Sequence, residues 1–248
     1  MILPAAAQFW KRIRTTMSNR IICFGDSWGA GHELYSNQHP FIHWFAEALS
    51  MPYINKSVSG SSMGQILHTI ISTLPTMTSD DIMLIVIPPD VRWYDENEID
   101  HFYTYIGRDS DEYYNFLNNK SIEWFKYHHA MFIYCIQKIL DDVGCKYIMA
   151  HNYGQIVDIK KYGLKIDYDH FLSEDSLTVI LSDSTDEWHS YPVNSPLKNR
   201  FDDDGPQHTY FSGKYFEGCI YHPNENGHKE IARLLLEKYT QISLTNDK

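Results

Sequence analysis

The sequence predicts one α/β domain, a parallel sheet with helices on both sides. Three observations carry that expectation. Short apolar segments alternate with amphipathic ones at the spacing of βαβ units. One of them, Asp81-Ile-Met-Leu-Ile-Val-Ile87, is apolar on both faces, as a central strand covered by helices must be. The chain has 248 residues, 43% of them apolar and 15% aromatic, which is enough to bury one sizeable core and argues against intrinsic disorder.

Residues 1–16 read as an N-terminal extension, either poorly ordered or a short arm packed on the body, because Met17 opens Met-Ser-Asn-Arg just before the first strand. The domain is expected to run from 17 to 248. Arg20-Ile-Ile-Cys-Phe-Gly25 is a short buried strand ending in a turn. Phe41 to Leu49 is a helix with Phe41, Trp44, Phe45, Ala48 and Leu49 on one face. Pro52 to Asn55 is a second strand, followed by a small-residue loop from Ser57 to Gly64. Gln65 to Leu74 aligns Ile66, Ile70 and Leu74 on a helix. Pro88-Pro89 stops the third strand. Ser121 to Val143 is a long helix, and Lys146 to Ala150 the next strand. Asn224 to Tyr239 is the last helix, with Ile231, Leu234, Leu235 and Tyr239 inward. Two stretches break the rhythm and read as irregular insertions, about 92–120 and 151–221, with Leu177 to Leu181 a possible strand inside the second.

The formal net charge is −11, so the chain is not expected to bind nucleic acid, whose affinity rests on Lys and Arg at phosphates. No apolar run approaches the roughly 18 residues that span a bilayer, so no membrane partner is expected. The N-terminal basic residues follow the mildly apolar stretch instead of preceding it, the reverse of a secretory signal. A cytoplasmic or otherwise soluble protein is the expectation. Four cysteines without a Cys-x-x-Cys pair fit a reducing compartment, with Cys23 and Cys135 as small buried hydrophobes. Thirteen histidines show no metal-ligand spacing: His128 and His129 are adjacent, and His222 and His228 diverge on the chain. No metal and no cofactor are expected, and His228 reads as a helix-surface residue.

Two motifs carry chemistry. Phe24-Gly25-Asp26-Ser27-Trp28-Gly29-Ala30-Gly31 sets a serine at the C-terminal end of the first strand, where α/β sheets bind ligands. The glycines permit a tight turn and close approach. A serine hydroxyl needs a base before it is a useful nucleophile. Tyr221-His222-Pro223-Asn224-Glu225-Asn226-Gly227-His228 holds a histidine just before the final helix, which Asn224 or Asn226 can cap. A histidine in a defined position is what a general base requires.

Together these motifs resemble the SGNH (GDSL-like) hydrolases. The resemblance covers about residues 20–90 and 215–240. It implies a three-layer α/β/α flavodoxin-like fold and ester hydrolysis through an acyl-enzyme. Ser27 then corresponds to the nucleophile and His222 to its base. The backbone N–H groups of Ser27 and of Gly60, in Asn55-Lys-Ser-Val-Ser-Gly60-Ser, correspond to oxyanion donors. Asp26, Asp90 and Arg92 are candidate site-lining residues.

The chain departs from the pattern twice. The third block of the family is Gly-x-Asn-Asp, whose Asn donates to the oxyanion. Here it reads Ile87-Pro88-Pro89-Asp90, and Pro89 has no donor. Arg92 could supply the missing positive group, or pair with Asp90 or Asp95. The family's acid lies three residues before the histidine, where this chain has Cys219, which cannot do a carboxylate's work. Glu217, Asp183, Asp186, the Asp202-Asp203-Asp204 run or a backbone carbonyl remain as alternatives.

The expected substrate is a small-molecule or carbohydrate ester with a small acyl group such as acetyl. A lipase or thioesterase of the same fold is one alternative. A protein that kept the fold and lost the reaction, serving in binding or structure, is another. The oligomeric state is left open.

Overall fold

The computed structural model describes residues 19–32, 34–89, 120–153, 159–182, 187–190, 209–212, 214–218 and 222–246. The extension at 1–16 and nearly all of the 92–120 insertion lie outside the described residues. Four apolar segments pair as a parallel sheet: β1 (Ile21–Phe24), β2 (Tyr53–Asn55), β3 (Ile82–Ile87) and β4 (Lys146–His151), in the order β2-β1-β3-β4. After β1 the chain adds β2 on one side, then crosses to add β3 on the other. The C-terminal end of β1 is therefore the topological switch point, where open α/β sheets form a crevice.

The pleat sends alternate residues to opposite faces, and each face has its own helices. Ile21, Cys23, Leu84, Val86, Ile148 and Ala150 pack with two helices, Phe41–Leu49 and Glu225–Asn246. Ile22, Phe24, Met83, Ile85, Tyr147 and Met149 pack with two others, Met63–Thr73 and Ile122–Val143. Strands and helices thus form three layers. In chain order the helices are α1 (Ser27–Ala30), α2 (Phe41–Leu49), α3 (Met63–Thr73), α4 (Ile122–Val143), α5 (Leu177–Leu181) and α6 (Glu225–Asn246). On α2 the buried alanine is Ala46, and Ala48 is exposed, so the apolar stripe is rotated from the expected one. The second fully covered thiol is Cys145, since Cys135 is only half-buried.

Polar groups fasten the far edge of the sheet. Arg20, just before β1, donates through Nε to Asp81 Oδ1 at 3.2 Å, and its other guanidinium nitrogen reaches Thr76 O. Asp81, just before β3, also accepts from Thr78 N–H at 2.9 Å. Both charged residues are buried, so neighbouring strands share one desolvated ion pair at their N-terminal ends. An open cleft of about 290 Å³ lies at this edge, beside Asn19, Asp80, Lys146 and Tyr239, opposite the strand C-termini.

The 151–221 stretch holds more order than its composition predicts. Leu177–Leu181 is a helix, not a strand. Its β-branched residues invite the strand reading. A strand would put Leu177, Val179 and Leu181 on one face, yet both leucines are buried while Val179 is 56% exposed, the spacing of one helical turn. Ser176 caps it by accepting from Val179 N–H. Four short strands make an antiparallel sheet in the order β5 (Glu187–Ser190), β6 (Thr209–Ser212), β7 (Phe216–Gly218) and β8 (His222–Pro223). This sheet carries His222 to the C-terminal edge of the parallel one.

Candidate active site

Ser27 is the first residue of α1 and is 4% exposed. Asp26 caps that turn, its Oδ1 accepting from Trp28 N–H at 3.1 Å. Gly31 ends it at φ 74°, a left-handed position that suits glycine. The other glycines admit the neighbouring loop. A Cβ on Gly29 would stand 2.4 Å from Ser57 Oγ, and one on Gly25 2.8 Å from Val86 Cβ.

The loop after β2 is stitched to this turn. Asn55 Nδ2 donates to Gly29 O at 2.8 Å, while Asn55 Oδ1 accepts from Ser57 N–H at 3.1 Å. Lys56 N–H donates to Cys23 O and Val58 N–H to Gly25 O. Ser61 closes the turn onto Val58 O through both its N–H and its hydroxyl. Gly60, between them, sits at φ 82°. The positive φ explains a glycine there, and the bonds from Lys56 and Val58 hold the start of its loop against the end of β1.

His222 is 2% exposed in β8. α1, which begins with Ser27, and β8, which carries His222, pack against each other although they come from opposite ends of the domain. His32 joins them: its N–H donates to Ser27 O at 2.9 Å, and its ring meets His222 edge-on with centroids 5.2 Å apart. Trp28, beside the serine, packs on Phe216 of β7 at 5.7 Å. Asn224 caps α6 through Gly227 N–H at 3.0 Å. Its backbone N–H donates to Tyr215 O at 2.8 Å. Gly227 is required there, because a Cβ would lie 2.2 Å from that same oxygen.

Several site residues escape the sequence reading. Asn152, directly after β4, is fully buried and donates through Nδ2 to Asp26 Oδ2 at 2.7 Å. Its N–H donates to Ile87 O, and its own carbonyl accepts from Thr178 N–H. Asn152 thus ties the turn that holds Ser27 to β3 and α5. A polar residue at the C-terminal end of an apolar strand was the available signal. Asp26 is itself fully covered, its carboxylate engaged by the α1 cap and Asn152.

His228 is not on the surface; it is 0% exposed. Its Nδ1 accepts from Phe41 N–H at 3.2 Å, its ring stacks on Phe41, and its Nε2 is buried without a hydrogen-bond partner. Burial, and then the proximity of His222, lower its pKa to about 3, so it is neutral at pH 7. The spacing His228, Ile231, Leu235 is the inward stripe of α6, a periodicity that had been available in the sequence. Burial likewise pushes the Cys23 thiol up to about 12, which removes it as a nucleophile despite its place near Ser57.

Pro89 is half-buried after β3 and has no N–H to offer. Asp90, Arg92, Asp183, Asp186, Asp202, Asp203, Asp204 and Cys219 lie outside the described residues. Glu217 is described as a backbone position in β7, opposite His222 in the register. Among the described residues no three His, Cys, Asp or Glu side chains gather as metal ligands. Nor is any helix among them long and apolar enough to cross a membrane.

No family model matches the chain, and no curated protein matches it. Solved structures do. Proteins of the G-D-S-L lipolytic family are among the structural neighbours. One is such a protein from Veillonella parvula DSM 2008, 11% identical, covering 91% of this chain and 98% of its own, with a TM-score of 0.44. The lipase Lip_vut3 from a goat rumen metagenome is 10% identical over 89% of this chain and 97% of its own, with a TM-score of 0.46. A carbohydrate esterase, described as having divergent catalytic and non-catalytic binding functions in its active site, is 14% identical over 90% of this chain, with a TM-score of 0.49. The chain spans 65% of that esterase's length.

Proposed function

We propose that this protein is a serine-dependent carboxylic ester hydrolase. One observation supports the reading: α1, which begins with Ser27 at the topological switch point after β1, packs against β8, which carries His222. In this reading His222 takes the proton from Ser27 Oγ as the oxygen bonds to the ester carbonyl carbon. The N–H groups of Ser27 and Gly60 hold the developing oxyanion. His222 returns the proton to the leaving alkoxide as the C–O bond breaks. Water, deprotonated by the same imidazole, then releases the acid and frees the serine.

The preferred substrate is a small-acyl ester, such as an acetyl group on a carbohydrate. Nothing in the sequence marks a long apolar acyl channel, and the acidic, aromatic insertions offer rings that stack on sugars. Fluorophosphonate labelling tests the reaction: the folded protein is expected to label, and Ser27→Ala and His222→Ala to stay unlabelled. Hydrolysis of p-nitrophenyl acetate far above the octanoate supports the small-acyl choice, and the reverse favours a lipase or thioesterase. A second reading, a fold retained for binding, draws on Pro89, which offers no donor at the third oxyanion position. A folded wild type that does not label would favour it.

A further inference from the structure

We infer that Asn152 is a positioning residue for Ser27, acting through Asp26, an inference that rests on the ester-hydrolase reading. α1 is a single turn of four residues, Ser27–Ala30. So short a helix has little stability of its own, and its direction is set by what holds its ends. In the ester-hydrolase reading this turn carries both Ser27 Oγ and the Ser27 N–H that donates to the oxyanion. A tilt of the turn then displaces nucleophile and donor together. Its leading end is held by Asp26, which is fully buried. Asp26 Oδ1 accepts from Trp28 N–H inside the turn, and Oδ2 accepts from Asn152 Nδ2 at 2.7 Å. One carboxylate thus joins the cap of α1 to a residue 126 positions away.

Every polar group of Asn152 is committed to holding that carboxylate still. In the strand order β3 separates β4 from β1, so the Asn152 side chain bridges from the end of β4 to the residue after Gly25. Its N–H donates to Ile87 O at 3.1 Å, at the end of β3. Its carbonyl accepts from Thr178 N–H at 3.0 Å, in α5. Its Oδ1 accepts from Tyr153 N–H at 2.7 Å. The last bond settles the orientation of the amide, because only the oxygen can accept. The NH2 group therefore faces Asp26. Asn152 is 0% exposed, so the bond is made away from water, where losing it is costly. Leucine has a similar shape and no donor. Aspartate has a similar shape and turns an acceptor toward an acceptor. Asparagine donates to Asp26 and accepts from Tyr153 at once.

The test is the rate of fluorophosphonate labelling at Ser27 from about pH 9 to about pH 6 for wild type, N152A and N152D, per folded protein as judged by circular dichroism. Folded N152A is expected to label at least about 20-fold slower than wild type, since a small misplacement at a reacting centre costs up to about 100-fold. N152D keeps the shape and sets a second carboxyl group against Asp26. Two buried carboxylates in contact resist ionising together, so the pair holds a proton at lower pH and loses it as pH rises. With the proton, the new carboxyl donates to Asp26 as the amide does. Without it, the two groups repel. The ratio of N152D to wild-type rates cancels the titration common to both proteins. It is expected to rise at least about tenfold from pH 9 to pH 6, whereas a loss of packing alone would leave it flat. Should N152A not fold, the N152D ratio decides alone. If folded N152A labels within about threefold of a labelling wild type, or the N152D ratio changes by less than about threefold, this inference falls and the ester-hydrolase reading stands. A folded wild type that does not label at Ser27 overturns both.

Discussion

Individual residues around Ser27 and His222 are shaped by contact, not only by chemistry. Gly227 shows this most sharply. The α6 cap brings its α-carbon so near Tyr215 O that a methyl group would overlap a backbone atom. Backbone cannot rotate aside as a side chain can, so the segment entering β7, which pairs with the strand carrying His222, would have to shift. Gly227→Ala is expected to cost about 2 kcal/mol or more, the upper part of the range for overpacking. It is also expected to slow labelling of Ser27. Urea unfolding and the labelling rate measured on one preparation check both, and an unchanged protein would mean the hairpin yields more easily than its contacts imply. Asn152 works at the same scale, since its single amide bonds Asp26, whose other oxygen caps the turn that holds Ser27.

At the level of elements, β1 and β3 are joined at their N-terminal ends by Arg20 and Asp81. The pair lies in the same register that carries Ile21 opposite Ile82. Removing one partner leaves a buried charge without compensation. Asp81→Ala is therefore expected to destabilise the domain by about 3–5 kcal/mol. Replacing both partners by apolar residues of similar volume is expected to cost much less. A double-mutant cycle in urea separates the two cases, and equal losses would assign the effect to packing. The elements also show where local reading succeeds. α2, α3 and α4 follow from periodicity, because a buried helix face repeats every 3.6 residues in the sequence itself, and β3 from a short run apolar on both faces. Leu177–Leu181 reads wrongly because five residues are too few for the two periods to separate, and the burial of both leucines is visible only once the helix is packed.

The whole molecule carries an acid sensitivity distributed over its core. His129, His151 and His228 are buried, and desolvation lowers their pKa values to about 3, about 4 and about 3; nearby histidines add to the effect at His129 and His228. Each folded-state value lies below the unfolded value near 6.5. Above pH 6.5 these groups are neutral in both states and the stability is complete. As pH falls below 6.5, the unfolded chain takes up protons that the folded chain refuses. Each histidine then removes up to about 1.4 kcal/mol per pH unit until its folded value is reached. By pH 5 the three together remove about 6 kcal/mol, the size of a domain stability at the low end of its usual range. Stability measured in urea from pH 8 to 5 is expected to fall below 6.5, and His151→Phe, which keeps the stacking on Phe171, to shallow that fall by about a third. A flat profile would mean the rings are hydrated in solution.

Much of this protein was legible along the chain. The β/α alternation, the doubly apolar third strand, the glycine-rich turn around Ser27 and the histidine before the last helix are local patterns, and local patterns are written in consecutive residues. The strand order, the antiparallel sheet that contains His222, the burial of His228, the Asp26–Asn152 bond and the register of β7 on β8 were not legible. Each depends on register or packing between segments far apart in sequence. Such contacts leave no periodic trace, because the geometry that creates them exists only after the layers have closed.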